Sequence, residues 1–111
     1  MGFIDTSSLP VREPRPGFAG RFFHSENMTF AYYTIAAGSA VHPHSHHNDE
    51  VWHVLSGELE VRLADEVRVL RAGEVAVVPP DMEHPARALT DCRALVVDHP
   101  TRDSIGGVDI R

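Results

Sequence analysis

Apolar and polar residues alternate along the middle of the chain, in short segments that glycine, proline or small residues separate. From Glu50 onward the segments run EVWHVLS, ELEVRL, EVRVL and EVAVV, and the breaks fall at Gly57, Ala64-Asp65, Ala72-Gly73 and Pro79-Pro80. A period of two is typical of β-strands, and turns this short join antiparallel hairpins. Apolar residues nowhere recur at helical spacing over three turns. The pattern therefore predicts an all-β, antiparallel fold closed into a sandwich or barrel.

The segments on either side of this pattern set the expected limits of the domain. Residues 21–25 and 28–37 have strand composition, and residues 84–89 and 92–98 supply the last two strands. Residues 1–20 contain three prolines and Gly17, too many breakers for a helix and too few apolar positions for a core strand. The sequence predicts an extended N-terminal arm over 1–20, one barrel over 21–99 and a loose C-terminal tail over 100–111.

Composition narrows the class of protein. A chain of 111 residues, of which 42% are hydrophobic, is long enough for one globular domain. The formal net charge of −6, without a basic cluster, argues against a nucleic-acid partner. The single cysteine fits a reducing compartment, and the sequence has neither an apolar run of membrane-span length nor a signal-peptide pattern. We expect a cytoplasmic protein without a membrane partner.

Histidines crowd one segment of this strand pattern. Five of the eight histidines lie between His42 and His53. His44 and His46 are two residues apart, so in an extended strand their side chains point to the same side, with Cα atoms roughly 6.6 Å apart. Glu50 has the same parity and adds a carboxylate, which gives a nitrogen and oxygen ligand set suited to first-row divalent metals. The spacing predicts a metal site on this face.

The same parity argument describes the other side of the strand. If Glu50 points inward, then Val51, His53 and Leu55 face outward. An outer face this apolar needs a cover, and for a small chain a second copy is the simplest cover. We therefore expect a homodimer that packs sheet on sheet, which light scattering tests.

Two blocks of residues carry a resemblance to a known family. The first block comprises Gly38, His44, His46, Glu50 and Gly57, and the second comprises Gly73, Pro79, Asp81, His84 and Ala88. On these residues the chain resembles the cupin superfamily over about residues 28–98. The first block has the spacing of the first cupin motif throughout. The second departs from the family pattern at Asp81, where the family usually has glycine, and at Ala88, where it often has asparagine.

The resemblance implies a double-stranded β-helix, or jelly-roll barrel, with one divalent metal ion inside. Carried over by position, the family's ligands fall on His44, His46, Glu50 and His84. Three neutral imidazoles and one carboxylate leave a divalent ion with a net charge of about +1, and an octahedral ion keeps two positions open. Iron, manganese, nickel, copper and zinc all accept these ligands. The alternatives are polar residues that hold no metal and a closed structural zinc site.

A weaker resemblance concerns the small pectin-degradation cupins, which open unsaturated uronates. It rests on the chain length, the His-Ser-His segment and the ending from Val96 to Arg102. In that family an aspartate four residues before the tail proline and an arginine two residues after it are linked to catalysis. Arg102 matches the arginine, whereas Val96 stands at the aspartate position and Asp98 follows two residues later.

Three functions are compatible with these residues. None involves a protein nucleophile, because Cys92 has no neighbouring base, and Ser45 and Ser56 have no nucleophile-elbow or triad context. The first is a metal-dependent isomerase or lyase that acts on a small, oxygen-rich, anionic molecule, with Arg102 and Tyr33 as catalytic residues. The second is a dioxygenase that uses the same ligands and a redox-active metal on an enol, diketone or catechol. The third is a non-catalytic module that binds a sugar or a metal.

Overall fold

The computed structural model describes residues 2–111, which form twelve β-strands and one short 3-10 helix at Thr6–Ser8. The strands are β1 Arg12–Arg15, β2 Phe18–His24, β3 Thr29–Ile35, β4 Ala40–Val41, β5 Asp49–Ser56, β6 Leu59–Leu63, β7 Glu66–Leu70, β8 Val75–Val78, β9 Ala86–Ala88, β10 Cys92–His99, β11 Ser104–Ile105 and β12 Val108–Asp109. The strand pairs of this part of the chain are antiparallel. The all-β antiparallel fold predicted from the alternation is confirmed.

The strands form two main sheets that share one core. The larger sheet has the order β1-β2-β3-β10-β5-β8, and the smaller has the order β4-β9-β6-β7. Phe18, Ile35 and Val54 of the larger sheet and Leu59 of the smaller sheet belong to one hydrophobic cluster, and each is at most 1% exposed. The core therefore lies between the inner faces of the two sheets, as in a jelly roll.

Strand β5 carries the alternation that the sequence predicts. Glu50 is buried together with Trp52 and Val54, whereas Val51, His53 and Leu55 are partly exposed on the other face. Pairing with β10 places Asp98 directly opposite Glu50. The prediction of inward and outward faces is confirmed, and it leaves two carboxyl groups side by side inside the barrel.

The outer face of the larger sheet is open in the single chain. Val75 and Val77 of β8 lie opposite His53 and Val51 of β5, and they are 46% and 60% exposed. A homodimer would cover this apolar face, and it stays a prediction. Within residues 2–111 no helix has the length and apolar character needed to cross a bilayer.

The predicted N-terminal arm is wrong for residues 12–20. This part forms β1 and the start of β2, and Phe18 is only 1% exposed. The prolines are tolerated because β1 is an edge strand, where a missing backbone N–H breaks no ladder between strands. Gly17, with φ of +82°, makes the turn into β2. The barrel therefore begins about nine residues before the predicted boundary of residue 21.

The predicted loose C-terminal tail is also wrong. It folds into the β11–β12 hairpin, whose turn is Gly106-Gly107 with φ of +55° and +80°. Positive φ at both central residues is what a tight hairpin turn requires. Ile110 is 2% exposed and joins the core, and Arg12 of β1 donates a hydrogen bond to the Asp109 carbonyl at 2.8 Å. The hairpin thus closes the barrel beside the N-terminal strand.

Candidate metal centre

Three imidazoles meet where two loops run side by side. His44 and His46 lie in the loop between β4 and β5, and His84 lies in the loop before β9. Backbone N–H groups of Asp81 and His84 donate to the carbonyls of His46 and His44 at 2.7 and 3.3 Å, which aligns the loops. The three ring centroids are 4.4 to 5.6 Å apart. The regular strand expected at these histidines is absent because Pro43 has no N–H for a ladder bond.

Each of the three imidazoles is oriented by a backbone carbonyl two residues away. Their Nδ1 atoms lie 2.9 to 3.1 Å from the carbonyl oxygens of His42, Asn48 and Met82. A carbonyl oxygen only accepts, so Nδ1 carries a hydrogen, and in the neutral ring Nε2 keeps its lone pair. This tautomer suits a histidine that binds a metal through Nε2 while its Nδ1–H donates a hydrogen bond to a neighbouring group of the protein.

One nitrogen from each ring lies within 4.8 Å of the other two. Nε2 of His46 and Nε2 of His84 are buried without a hydrogen-bond partner among residues 2–111. Nε2 of His84 is 3.0 Å from Oε1 of Glu50. Two acceptors make no hydrogen bond, so this contact is favourable only with a proton or a cation between the atoms.

Glu50 brings a buried carboxylate to the same place. It is 3% exposed, its Oε1 accepts a hydrogen bond from Nε1 of Trp52, and its Oε2 lies 3.5 Å from Nε2 of His46. Burial acts to raise the pKa of Glu50, but its contacts with His46 and His84 outweigh burial and hold the pKa well below its usual range. Burial lowers the pKa of His44 and favours its neutral ring. The centre therefore has an ionised carboxylate and a neutral imidazole.

These residues fit a single divalent cation. The structure brings together the four side chains predicted as ligands, His44, His46, Glu50 and His84. Borderline nitrogen and hard oxygen donors in this ratio suit first-row divalent metals. A cation would satisfy both buried Nε2 atoms and offset the cost of the buried carboxylate.

Asp98 is a residue of the site that sequence reasoning did not select. It is 1% exposed, and its Oδ1 has no hydrogen-bond partner within residues 2–111. Burial and the neighbouring Glu50 raise the pKa of Asp98 to about 9. Its parity was the available signal, because Cys92, Ala94 and Val96 of the same strand are buried in alternation and Asp98 continues the series.

The two predicted catalytic residues both face the interior. Arg102 follows β10, and its Nη1 lies 3.6 Å from Oε2 of Glu50 and 3.9 Å from Oδ2 of Asp98. Tyr33 of β3 is 6% exposed and packs edge-on against Phe18, with ring centroids 5.8 Å apart. Burial raises the pKa of the Tyr33 hydroxyl, so the phenol stays protonated. Tyr33 is thus a core residue whose hydroxyl is available as a neutral donor.

A small cavity lies between these side chains and the predicted ligands. Its volume is about 20 Å³, and its polar lining consists of Arg15, Tyr33, His44, Glu50 and Arg102. A volume of this size holds about one water molecule. A groove of about 810 Å³ on the outside is lined by two of the same residues, Arg15 and His44. No local pattern marks Arg15, which lies in the segment predicted to be an arm.

The other histidines of the segment lie outside this centre. His47 is exposed, and its Nδ1 is 2.8 Å from Oδ1 of Asp81. His42 is exposed and lines the outer groove. A separate groove of about 720 Å³ between β7 and β8 contains none of the four predicted ligands. The four predicted ligands therefore lie together in one place.

Comparisons with known proteins agree with this architecture. Residues 31–98 match the protein family described as Cupin domain. An uncharacterized protein of Streptomyces coelicolor is 31% identical over 81 residues, which cover 72% of this chain and 77% of that relative. The structure of KdgF from Halomonas sp. has a TM-score of 0.86 at 26% identity and covers 93% of this chain and 96% of its own. An RmlC-like cupin from Shewanella frigidimarina has a TM-score of 0.87 at 21% identity and covers 93% and 94%. The predicted double-stranded β-helix barrel is thereby confirmed.

Proposed function

Because the chain belongs to the cupin family, we propose that it is a metal-dependent isomerase or lyase acting on a small, oxygen-rich, anionic molecule. One observation carries the proposal: three imidazoles and a buried carboxylate converge, and two of the buried ring nitrogens are unsatisfied within residues 2–111. His44, His46, Glu50 and His84 would hold one ion of iron, manganese, nickel, copper or zinc.

When bound, such an ion is a Lewis acid that polarises a carbonyl or stabilises an enolate. The chain's own residues bind and orient the substrate beside it. Arg102 adds a positive charge next to Glu50 and Asp98, and a guanidinium suits an anionic substrate oxygen. The cavity of about 20 Å³ excludes bulk water, which strengthens each of these electrostatic contacts.

Asp98 is placed to hold and move a proton. A pKa of about 9 keeps its carboxyl protonated near neutral pH, and its Oδ1 has no hydrogen-bond partner within residues 2–111. Isomerisation and elimination both need a group that gives or takes a proton at the reacting atoms. We assign this role to Oδ1 of Asp98 and a binding role to the Tyr33 hydroxyl.

Two similarities support a sugar-derived acid as the substrate. The likeness to the Halomonas KdgF structure extends over nearly the whole of both chains. Arg102 also matches the arginine position of the small pectin-degradation cupins. Uronates and related keto acids are therefore the first substrates to test.

Metal analysis of three proteins tests the proposed centre. We expect about one divalent ion per chain in the wild type and in His47→Ala, because the ring of His47 is exposed. His46→Ala should lose the ion, because it removes one of the four ligands. Full metal occupancy in His46→Ala would show that the ligands are assigned wrongly.

Assays on the loaded protein then separate the reaction classes. Product formation from uronates or keto acids without oxygen uptake supports an isomerase or lyase. Oxygen uptake by the iron-loaded protein with a diketone, enol or catechol would assign a dioxygenase instead. A protein that binds metal but turns over neither panel would be the non-catalytic module.

A further inference from the structure

Arg15 differs from Arg102, the other arginine that lines the small cavity. It lies on β1 and lines the small cavity together with His44, Glu50 and Arg102. Arg102 has carboxylate oxygens 3.6 and 3.9 Å away. For Arg15, in contrast, no hydrogen bond or ion pair of the guanidinium is found within residues 2–111. The cavity thus contains one guanidinium that is paired within the protein and one that is not.

An unpaired guanidinium at this depth has a cost. Arg15 is partly buried, and burial lowers its pKa because the charged form is poorly solvated there. Four of the five exposed arginines, Arg68, Arg71, Arg87 and Arg111, are paired with carboxylates. Without a partner, the Arg15 guanidinium destabilises the ligand-free protein. An anionic ligand that pairs with the guanidinium would offset this cost and explain why an arginine stands there.

The position of Arg15 indicates where that anion lies. The inner cavity of about 20 Å³ has room for about one water, whereas the outer groove of about 810 Å³ is large enough for a small molecule. Arg15 and His44 line both spaces. The groove and the small cavity therefore lie on either side of these side chains and of Val41, which also lines both.

The charges of the site also favour an anion. Even if Glu50 and Asp98 were both ionised, they would only balance Arg15 and Arg102, and a divalent ion would leave the site with a charge of about +2. The proton assigned to Asp98 makes the site more positive still. We infer that Arg15 is a substrate-binding residue that pairs with a carboxylate of a ligand in the outer groove, while the ligand's other end reaches the metal. The inference rests on the proposed function and adds the residue that selects an anionic substrate. A guanidinium offers two parallel N–H donors to a carboxylate, so Arg15 also fixes the ligand's orientation.

A chelating probe isolates the contribution of Arg15. The monohydroxamate of succinic acid chelates the metal through its hydroxamate and leaves a free carboxylate, and its carboxamide analogue keeps the shape without the charge. Calorimetry would measure both probes on the metal-loaded wild type, Arg15→Gln, Arg15→Lys and Arg93→Gln. Arg93 is an exposed arginine of β10, so its variant is matched in charge.

We expect the wild type and Arg93→Gln to bind the carboxylate probe between about tenfold and a hundredfold more tightly than the carboxamide probe. Arg15→Gln should remove this preference, and Arg15→Lys should keep part of it, since a lysine retains the charge but not the paired donors. The preference surviving in Arg15→Gln, or being absent from the wild type, would overturn the inference.

Thermal melting without ligand distinguishes a binding role from a structural one. Arg15→Gln should melt no lower than the wild type, because it removes an unpaired, partly buried charge. A clearly lower melting temperature would make Arg15 a structural residue and contradict the inference.

A failure of the proposed function gives a different result from a failure of the role inferred for Arg15. If the wild type takes up no metal at the four predicted ligands, the proposed function fails. The role of Arg15 is then tested on the metal-free proteins by NMR titration with succinate. Weaker binding in Arg15→Gln than in Arg93→Gln supports the anion site, and equal binding overturns it.

Discussion

The two halves of the candidate site are held in place in different ways. In the metal half, each imidazole donates Nδ1–H to a carbonyl two residues away, so the orientation is local. In the opposite half, Arg15, Asp98 and Arg102 come from segments near the two ends of the chain. Long-range contacts hold them, such as the bonds from Arg12 to the Asp109 carbonyl and from the Arg102 N–H to Thr29 Oγ1.

This difference separates the proposed metal binding from the proposed substrate binding. The ligand loops keep their geometry as long as the two sheets are formed. The positions of the arginines depend in addition on the β11–β12 hairpin, which packs against β1. Damage to the hairpin should therefore weaken stability and anion binding more than metal binding, and substitutions at Ile110 and Gly106 test this.

Ile110→Ala should have the largest effect on stability. Ile110 is 2% exposed, and removing most of a buried isoleucine costs about 2 to 4 kcal/mol. Urea unfolding of the metal-free protein measures the cost, with Val108→Ala on the same hairpin as the less buried control. The metal content of the folded variant should remain that of the wild type. Loss of the metal from a variant that is still folded would show that the two halves are not independent.

Gly106→Ala should have an intermediate effect. A Cβ on Gly106 would lie 2.6 Å from the carbonyl oxygen of Pro14, one residue before Arg15, so the hairpin and β1 must separate. A Cβ on Gly107 meets nothing within 4 Å, and both glycines have positive φ. We expect Gly106→Ala to cost about 1 to 2 kcal/mol more than Gly107→Ala in urea unfolding. Only Gly106→Ala should also weaken binding of the carboxylate probe, and equal effects of the two variants would contradict the close contact.

The two halves also differ in how far sequence predicts them. The positions of three of the four predicted ligands were predictable because the information is local. Spacing by two selected His44 and His46, although they lie in a loop and not in the strand assumed for that spacing, and alternation placed Glu50 inward. The cupin resemblance added His84, which no local spacing links to the others. The strand pattern after Glu50 was predictable for the same reason, since alternation and turn residues act over a few positions.

The terminal segments were mispredicted because their structure depends on distant partners. Pro14 and Gly17 signal breaks in the chain locally, but β2 offers an edge where a proline-containing strand pairs. Two consecutive glycines, Gly106 and Gly107, do not by themselves predict a hairpin. The hairpin is held by the burial of Ile110, which depends on distant residues of the core. Strand alternation could have placed Asp98 on the inner face of β10, whereas no feature of the sequence marks Arg15.

Asp98→Asn should have the smallest effect and tests the place where the two halves meet. Asp98 faces Glu50, with Arg102 3.9 Å away and Arg15 lining the same cavity. The pKa of Asp98 is about 9 in the folded protein, against 3.8 for an unperturbed aspartate. At a pH between these two values, Asp98 is protonated in the folded protein and ionised in the unfolded chain. The free energy of unfolding of the metal-free wild type should therefore fall as the pH rises from about 4 to about 9.

Asparagine cannot ionise, so Asp98→Asn should remove this decline. We expect the variant to gain at least about 1 kcal/mol on the wild type between pH 5 and pH 9 in urea unfolding of chelator-treated protein. Asp65→Asn, at an exposed turn, serves as the control and should follow the wild type. Parallel curves for the wild type and Asp98→Asn would mean that Asp98 is ionised across this range. The proton would then be absent from the junction of the two halves. Asp98 would be a second carboxylate of the site, or a fifth metal ligand, instead of the proposed proton donor.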